Sequence, residues 1–230
     1  MGFERATFIT FEGLDGCGKS TQIERLAAKL REQKLPVIVT REPGGTPAGE
    51  QIRQLLLDTK TSGLNPLAEM ALMFASRAQH VHEVILPALG AGSIVLCDRF
   101  TDSTEAYQGA GRRLGTKAVL ALHHILCGEL RPDLTILMDS DVTASVERAR
   151  RRNQGRSSSE SSDENRFELE NRAFFTRVHA AYLEIAKREP ERVVVVDARG
   201  TPDQTHQKIL DIVSRRLMSK ASSGKAQHGN

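Results

Sequence analysis

The chain has 230 residues, 39% of them hydrophobic, enough for one α/β domain and too few for two generous ones. Its 32 basic and 29 acidic side chains leave a net charge of +3, so the total gives no general pull toward nucleic acid or a membrane surface. Three cysteines without C-x-x-C spacing, an N-terminus (MGFERATF) with no apolar core, and no run near the ~18 apolar residues of a membrane span predict a reduced, soluble, cytoplasmic protein with no metal cluster.

The first apolar run, ATFITFE at 6–12, reads as a strand. Directly behind it stands GLDGCGKS at 13–20, a complete G-x-x-x-x-G-K-[ST] match, and directly ahead lies a helix-like stretch at 19–34. This strand–loop–helix order is the context in which the pattern becomes a phosphate cradle. Gly13, Gly16 and Gly18 let the backbone turn, and with Leu14, Asp15 and Cys17 they form the candidate nucleotide-binding loop. Lys19 can reach the β- and γ-phosphates, Ser20 can hold Mg²⁺, and Thr21 adds a second hydroxyl at the helix start.

Four more short, β-branched runs follow at 36–40, 93–98, 134–139 and 192–198, nearly continuous rather than alternating, which is how strands buried on both faces read. Helices are expected at 48–59, 66–89, 115–129, 141–153, 165–188 and 202–218. The fold class is therefore α/β: a P-loop NTPase fold, a five-stranded parallel sheet flanked by helices, with a flexible lid. A single domain spans 1–218, the lid covers about 148–166, and the tail at 219–230 is expected to be disordered.

Ligands in such folds gather at the carboxyl ends of strands. REPGGT at 41–46 supplies Arg41 and Glu42 there, with Arg53 further on in the next helix. The third strand ends in Asp98 and Arg99, a carboxylate placed to help bind Mg²⁺ and a guanidinium suited to gripping an oxyanion in two places. Arg148, Arg150, Arg151, Arg152 and Arg156 crowd into nine positions, a density that suits a cationic flap over polyanions. The missing N-K-x-D reader and the absence of a glycine after Asp98 in a D-x-x-G switch argue against a GTPase, and 230 residues leave no room for the partner-facing domains of a motor or transport ATPase. A small kinase remains.

FEGLDGCGKSTQ at 11–22, TREPGGT at 40–46, FASRAQH at 74–80, LCDRFTDSTEAYQGAGR at 96–112 and RPDLTILMD at 131–139 resemble, in order, the motifs of bacterial thymidylate kinases. The resemblance implies phosphoryl transfer from ATP to dTMP with Mg²⁺, no nucleic-acid or membrane partner, and a homodimer through the helices around 66–89 and 115–129. It implies that Arg53 and Arg99 hold the dTMP phosphate with Glu42 nearby, that Arg77 bonds the thymine carbonyl, and that Ser103 and Gln108 approach the base. It further implies that Tyr107 lies against the sugar and that Asp15 is close to the phosphates and to Mg²⁺, with Ser20 and Asp98. Some members carry a catalytic Arg where this chain has Gly16; the resemblance to the bacterial type implies that the flap supplies it instead, as Arg152 or Arg156, with Arg148 or Arg150 nearer the adenine. Stacking on thymine is assigned to Phe74 rather than Met73, and the Ser-rich stretch inside the flap is longer than usual for bacterial members.

Overall fold

A computed structural model describes residues 6–61, 63–154 and 166–226. Five parallel strands, β1 (Thr7–Glu12), β2 (Val37–Arg41), β3 (Ile94–Asp98), β4 (Leu134–Asp139) and β5 (Val193–Asp197), form one sheet in the order β2-β3-β1-β4-β5. The loop between β1 and α1 (Lys19–Glu32) is the glycine-rich segment, so the sheet and its first crossover are those of the P-loop fold. The three inner strands are buried on both faces, as continuous apolar runs demand, whereas the two edge strands leave Ile38, Val39 and Val195 partly exposed.

Alternation along β1 divides the core. Ile9 and Phe11 face α1 and α9 (Pro202–Ala226), packing with Leu26, Ile209 and Val213. Phe8 faces the other side with Val81, Ile85 and Phe100, and Thr10 bonds Thr135 at 2.8 Å. Glu12 shares that second side by the same period of two.

Of the remaining helices, α2 (Pro47–Leu57) starts at Thr46, whose hydroxyl accepts from Gly49 N at 3.0 Å. The long helix expected at 66–89 is α3 (Pro66–His80), one π-helical turn (Val81–Ile85) and α4 (Leu86–Gly90). Pro87 has no N–H to offer the preceding turn, and Leu86 N reaches back to Val81 O, five residues away. A helix that no sequence signal predicted follows β3: α5 (Thr101–Thr104) running into a π-helical stretch at Glu105–Gly111. Then come α6 (Thr116–Cys127), α7 (Val142–Gln154), a 3₁₀ turn at Arg166–Leu169 and α8 (Arg172–Arg188). The last starts at Asn171, whose Oδ1 accepts from Phe174 N at 3.0 Å. Helix α9 runs to Ala226, so the segment expected to be disordered from 219 is helical up to there; the sequence SKASSGKA contains no proline to stop propagation.

Glu69 ties several of these elements together. Wholly buried on α3, it accepts from Gln108 Nε2 at 2.8 Å and pairs with Arg112 at 3.1 Å and Arg166 at 2.7 Å. Arg166 also donates from Nε to Leu56 O at 2.6 Å, which anchors the 3₁₀ turn to α2 and α3. Glu69→Ala strips the buried Arg166 guanidinium of its carboxylate, while Arg112 keeps Glu170, and a loss of about 3–5 kcal/mol is expected. Urea unfolding checks this: a lowered midpoint at unchanged slope is the expected result, and an unmoved midpoint contradicts it.

Candidate active site

The loop after β1 is shaped by what lies behind it. Gly13 (φ 133°), Gly16 (φ 78°) and Gly18 (φ 100°) all take left-handed or related conformations that disfavour side chains. At Gly16 space is as restrictive as torsion, since a Cβ there would stand 2.3 Å from Ser145 O and 3.0 Å from Ala149 N of α7. Leu14 and Cys17 are buried, while Ser20 and Thr21 are exposed at the start of α1. Lys19 Nζ donates to Gly13 O at 3.1 Å and Leu14 O at 3.0 Å, which holds its charge against the loop.

At the end of β3, Ser20 Oγ donates to Asp98 Oδ2 at 3.0 Å, and Asp98 Oδ1 is buried with no hydrogen-bond partner. A hydroxyl and an unsatisfied carboxylate oxygen at one place fit a hard, oxygen-seeking cation such as Mg²⁺. Asp15, the third residue expected at the metal, is engaged otherwise: Oδ1 accepts from Arg99 Nη2 at 2.8 Å and Oδ2 from the Tyr107 hydroxyl at 3.2 Å. In this arrangement Asp15 supports the guanidinium.

Beside Asp15 opens a cleft of about 580 Å³ including its mouth. The structure brings Asp15, Glu42, Arg53, Arg77, Arg99, Ser103, Tyr107 and Gln108 together on its walls. Arg77 is 2% exposed: Nε donates to Glu42 Oε2 at 2.7 Å, Nη2 to Phe100 O at 3.1 Å and Thr104 Oγ1 at 2.9 Å, while buried Nη1 has no partner. His80 Nδ1 lies 2.9 Å from the second Glu42 oxygen. Arg53 Nη1 donates to Pro43 O at 3.1 Å on the turn that carries Glu42.

Phe74 does not belong to this group. It is wholly buried against Met70 and Val119, with the Arg77 guanidinium 4.8 Å from its ring centre, whereas Met73 lines the cleft. At 100° per residue, Met73 and Phe74 flank Arg77 on either side, about 40° and 60° away, and only the Met73 side meets the opening. The cleft's aromatic walls are Phe100, Tyr107 and Phe167, the last two in edge-to-face contact at 5.9 Å.

Arg148 touches the phosphate loop, donating from Nε to Gly16 O at 2.8 Å. Arg150 points elsewhere, to Glu170 O at 3.4 Å. The side chain of Arg152 and the whole of Arg156 lie outside the described residues.

Sequence reasoning missed Glu12, Tyr182 and Phe167. Arg99 donates to Ser103 Oγ at 2.9 Å and the Tyr182 hydroxyl at 3.0 Å, and Glu12 lies behind both hydroxyls, accepting from Ser103 at 2.5 Å and Tyr182 at 3.1 Å. Both tyrosines of the chain thus converge on one arginine. An acid ending an apolar strand, FITFE, was the available signal for Glu12; nothing local marks Tyr182.

The electrostatics follow from this packing. Burial, then the negative charge of Asp102, push the Glu12 carboxyl up to about 7, against the pull of Arg99 and the hydrogen bonds. Burial would raise Asp15 as well, but Arg99 and Lys19 outweigh it and hold that carboxyl well below the usual range. Arg99 stays a cation, because Asp15 and its neighbours overcome the burial that would discharge it. Burial raises both tyrosine hydroxyls, which remain protonated donors.

Comparison with known proteins decides the family. The sequence model of the family described as thymidylate kinase matches residues 11–209. The chain belongs to the thymidylate kinase family. It is 50% identical to the thymidylate kinase of Trichlorobacter lovleyi over 210 residues, 91% of this chain and 98% of the relative. It is 49% identical to that of Pseudomonas putida over 213 residues, covering 93% and 98%. The crystal structure of thymidylate kinase from Ehrlichia chaffeensis superposes with a TM-score of 0.73 at 32% identity, covering 91% of this chain and 99% of that one. Among the described residues no helix is long and apolar enough to cross a membrane.

The Glu12 shift predicts a pH dependence with a definite sign. A carboxyl whose folded-state pKa is about 7 against an ordinary 4.5 binds more protons folded than unfolded between those values, so its contribution to stability is present below 4.5 and lost as pH rises through about 7. The unfolding free energy of the wild type relative to Glu12→Gln should therefore fall between these pH values and level off above them. A difference that rises with pH contradicts the assignment.

Proposed function

We propose that this thymidylate kinase family member transfers the γ-phosphoryl group of ATP to the 5′-phosphate of dTMP, giving dTDP and ADP. The observation that carries the reading is the placement of Arg99: it lines the cleft, and Asp15, its partner at 2.8 Å, belongs to the phosphate loop. A guanidinium at that junction suits an acceptor that is itself a phosphate ester, with Arg53 as a second cation on the same wall. A nucleoside acceptor would need a carboxylate base at its hydroxyl instead.

Each residue then has a task. Lys19 leaves the loop carbonyls for the β- and γ-phosphates, where its charge opposes the charge developing on the transferred group. Ser20 and Asp98 would hold Mg²⁺, which supplies charge neutralisation on the donor phosphates when bound. The unpartnered Nη1 of Arg77 is a buried donor awaiting an acceptor, and the thymine carbonyl provides one. Ser103 and Gln108 complete the polar edge of the base site, Met73 and Phe167 supply apolar surface, and the Tyr107 ring crowds the sugar against a ribose 2′-hydroxyl. Arg148 steadies the donor loop, and Arg152 and Arg156 from the lid bring further positive charge to the reacting phosphates. The protein works as a cytoplasmic homodimer through α3 and α6, whose Leu67 and Ile125 are exposed at 59% and 73%.

ADP release with dTMP, thymidine, dUMP and dCMP tested in parallel examines the proposal, and turnover of thymidine with none of dTMP overturns it. Lys19→Ala should lower kcat by about 10² or more, with the fold intact by circular dichroism; near-normal turnover would contradict the role. Met73→Ala should raise the KM for dTMP while barely moving the melting temperature. Phe74→Ala should do the reverse, losing about 3–5 kcal/mol of stability as a buried aromatic is removed.

A further inference from the structure

Glu12 has no task in the reaction just described, yet its contacts lead to Arg99 from two directions. The first is through the backbone. Arg99 has φ 73°, a conformation that a non-glycine residue keeps only when its surroundings fix it. Two successive N–H groups do so: Arg99 N donates to Phe11 O at 3.0 Å, and Phe100 N donates to Glu12 Oε1 at 2.7 Å. Consecutive residues of β1 thus fasten consecutive residues of the bend. Phe100 stands at the N-cap of α5 with no side-chain cap of its own, and Glu12 meets that orphan donor from another strand.

The second direction is through side chains. Ser103 Oγ and the Tyr182 hydroxyl, 2.8 Å from each other, each accept from Arg99 Nη1, and Glu12 Oε2 lies within reach of both as the one anionic acceptor of their protons. A hydroxyl has one proton to give. Spent on Glu12, it leaves only lone pairs toward the guanidinium, so Glu12, in the ionised form it takes as pH rises above about 7, sets the polarity of both bridges. An amide in its place would offer N–H groups to the same hydroxyls and set them against Arg99.

We propose that Glu12 is a positioning residue for the acceptor phosphate, fixing the Arg99 bend through the Phe100 N–H and orienting the Arg99 guanidinium through Ser103 and Tyr182. The proposal rests on the dTMP kinase reading above. A purely structural cap for α5 would affect fold stability and both substrates alike, whereas a positioning role falls on one substrate.

The test uses the full chain and steady-state kinetics with Mg·ATP at a pH above about 7, where Glu12 is ionised. Glu12→Gln keeps the size of the side chain and an oxygen for Phe100 N–H, but reverses the hydrogen bonds to the two hydroxyls. It should raise the KM for dTMP about tenfold or more while the KM for ATP stays within about twofold. Tyr182→Phe removes one bridge and keeps the ring; it should raise the KM for dTMP by a smaller factor, and should add nothing further in the Glu12→Gln background, since both act through one network. An unchanged KM for dTMP in Glu12→Gln, an equal rise for both substrates, or additive effects of the two substitutions would overturn the proposal. If Glu12→Gln does not fold, Tyr182→Phe alone decides, and an unaltered KM for dTMP rejects it. A wild-type enzyme that does not turn over dTMP refutes the functional reading instead, before any variant is compared.

Discussion

A guanidinium taken out of water must be met by acceptors on every side, and at the carboxyl end of β3 that requirement recruits four parts of the chain around Arg99. Asp15 comes from the phosphate loop, Ser103 from α5, Tyr107 from the π-helical stretch and Tyr182 from α8. Three of the four arrive on elements packed in one buried apolar cluster, which holds Leu14, Tyr107, Phe174, Phe175 and Tyr182. The donor loop and the cleft therefore share a wall, and a shift of either moves the other.

The same design recurs around the cleft. Three donors that face the opening are backed by carboxylates: Arg77 by buried Glu42, Gln108 by buried Glu69, and Arg99 by Asp15 directly and by buried Glu12 through two hydroxyls. Breaking such a pair strands a charge away from water, so the acids hold the donors in place more firmly than neutral partners would. A site whose dipoles are already aimed needs little reorganisation when charge moves, which is where phosphoryl transfer gains most. It also explains why a charge-rich interior occurs in a chain of modest net charge: the acids and bases are matched locally.

What could be read beforehand divides along the range of the signal. The phosphate loop was legible because its chemistry is written in eight adjacent residues, and the five strands because a buried parallel strand is a contiguous apolar run. The helix after β3 was not, because TDSTEAYQGAG mixes polar and small residues and turns with a π-type pitch that breaks the 3.6-residue period. Phe74 was placed in the cleft because two neighbouring residues flank Arg77 almost equally, and only the position of α6, which brings Val119 against Phe74, decides between them. Glu12 and Tyr182 meet across 170 positions of sequence, a distance over which no spacing rule operates.

Gly16 shows how one missing side chain is linked to the placement of a distant helix. In α7 the Ser145 carbonyl and the Ala149 amide approach so near that a Cβ at position 16 would collide with both. The helix can lie there only because residue 16 is glycine, and lying there it brings Arg148 onto the loop, where Nε bonds the Gly16 carbonyl at 2.8 Å. An arginine in the loop and a helix packed against it are thus alternatives for the same volume. A chain that keeps the glycine gains a helical platform from which basic residues can approach the phosphates from outside, and the five arginines between 148 and 156 begin on that platform. Their density then follows from the geometry: charge that cannot be built into the loop has to be carried by the helix above it.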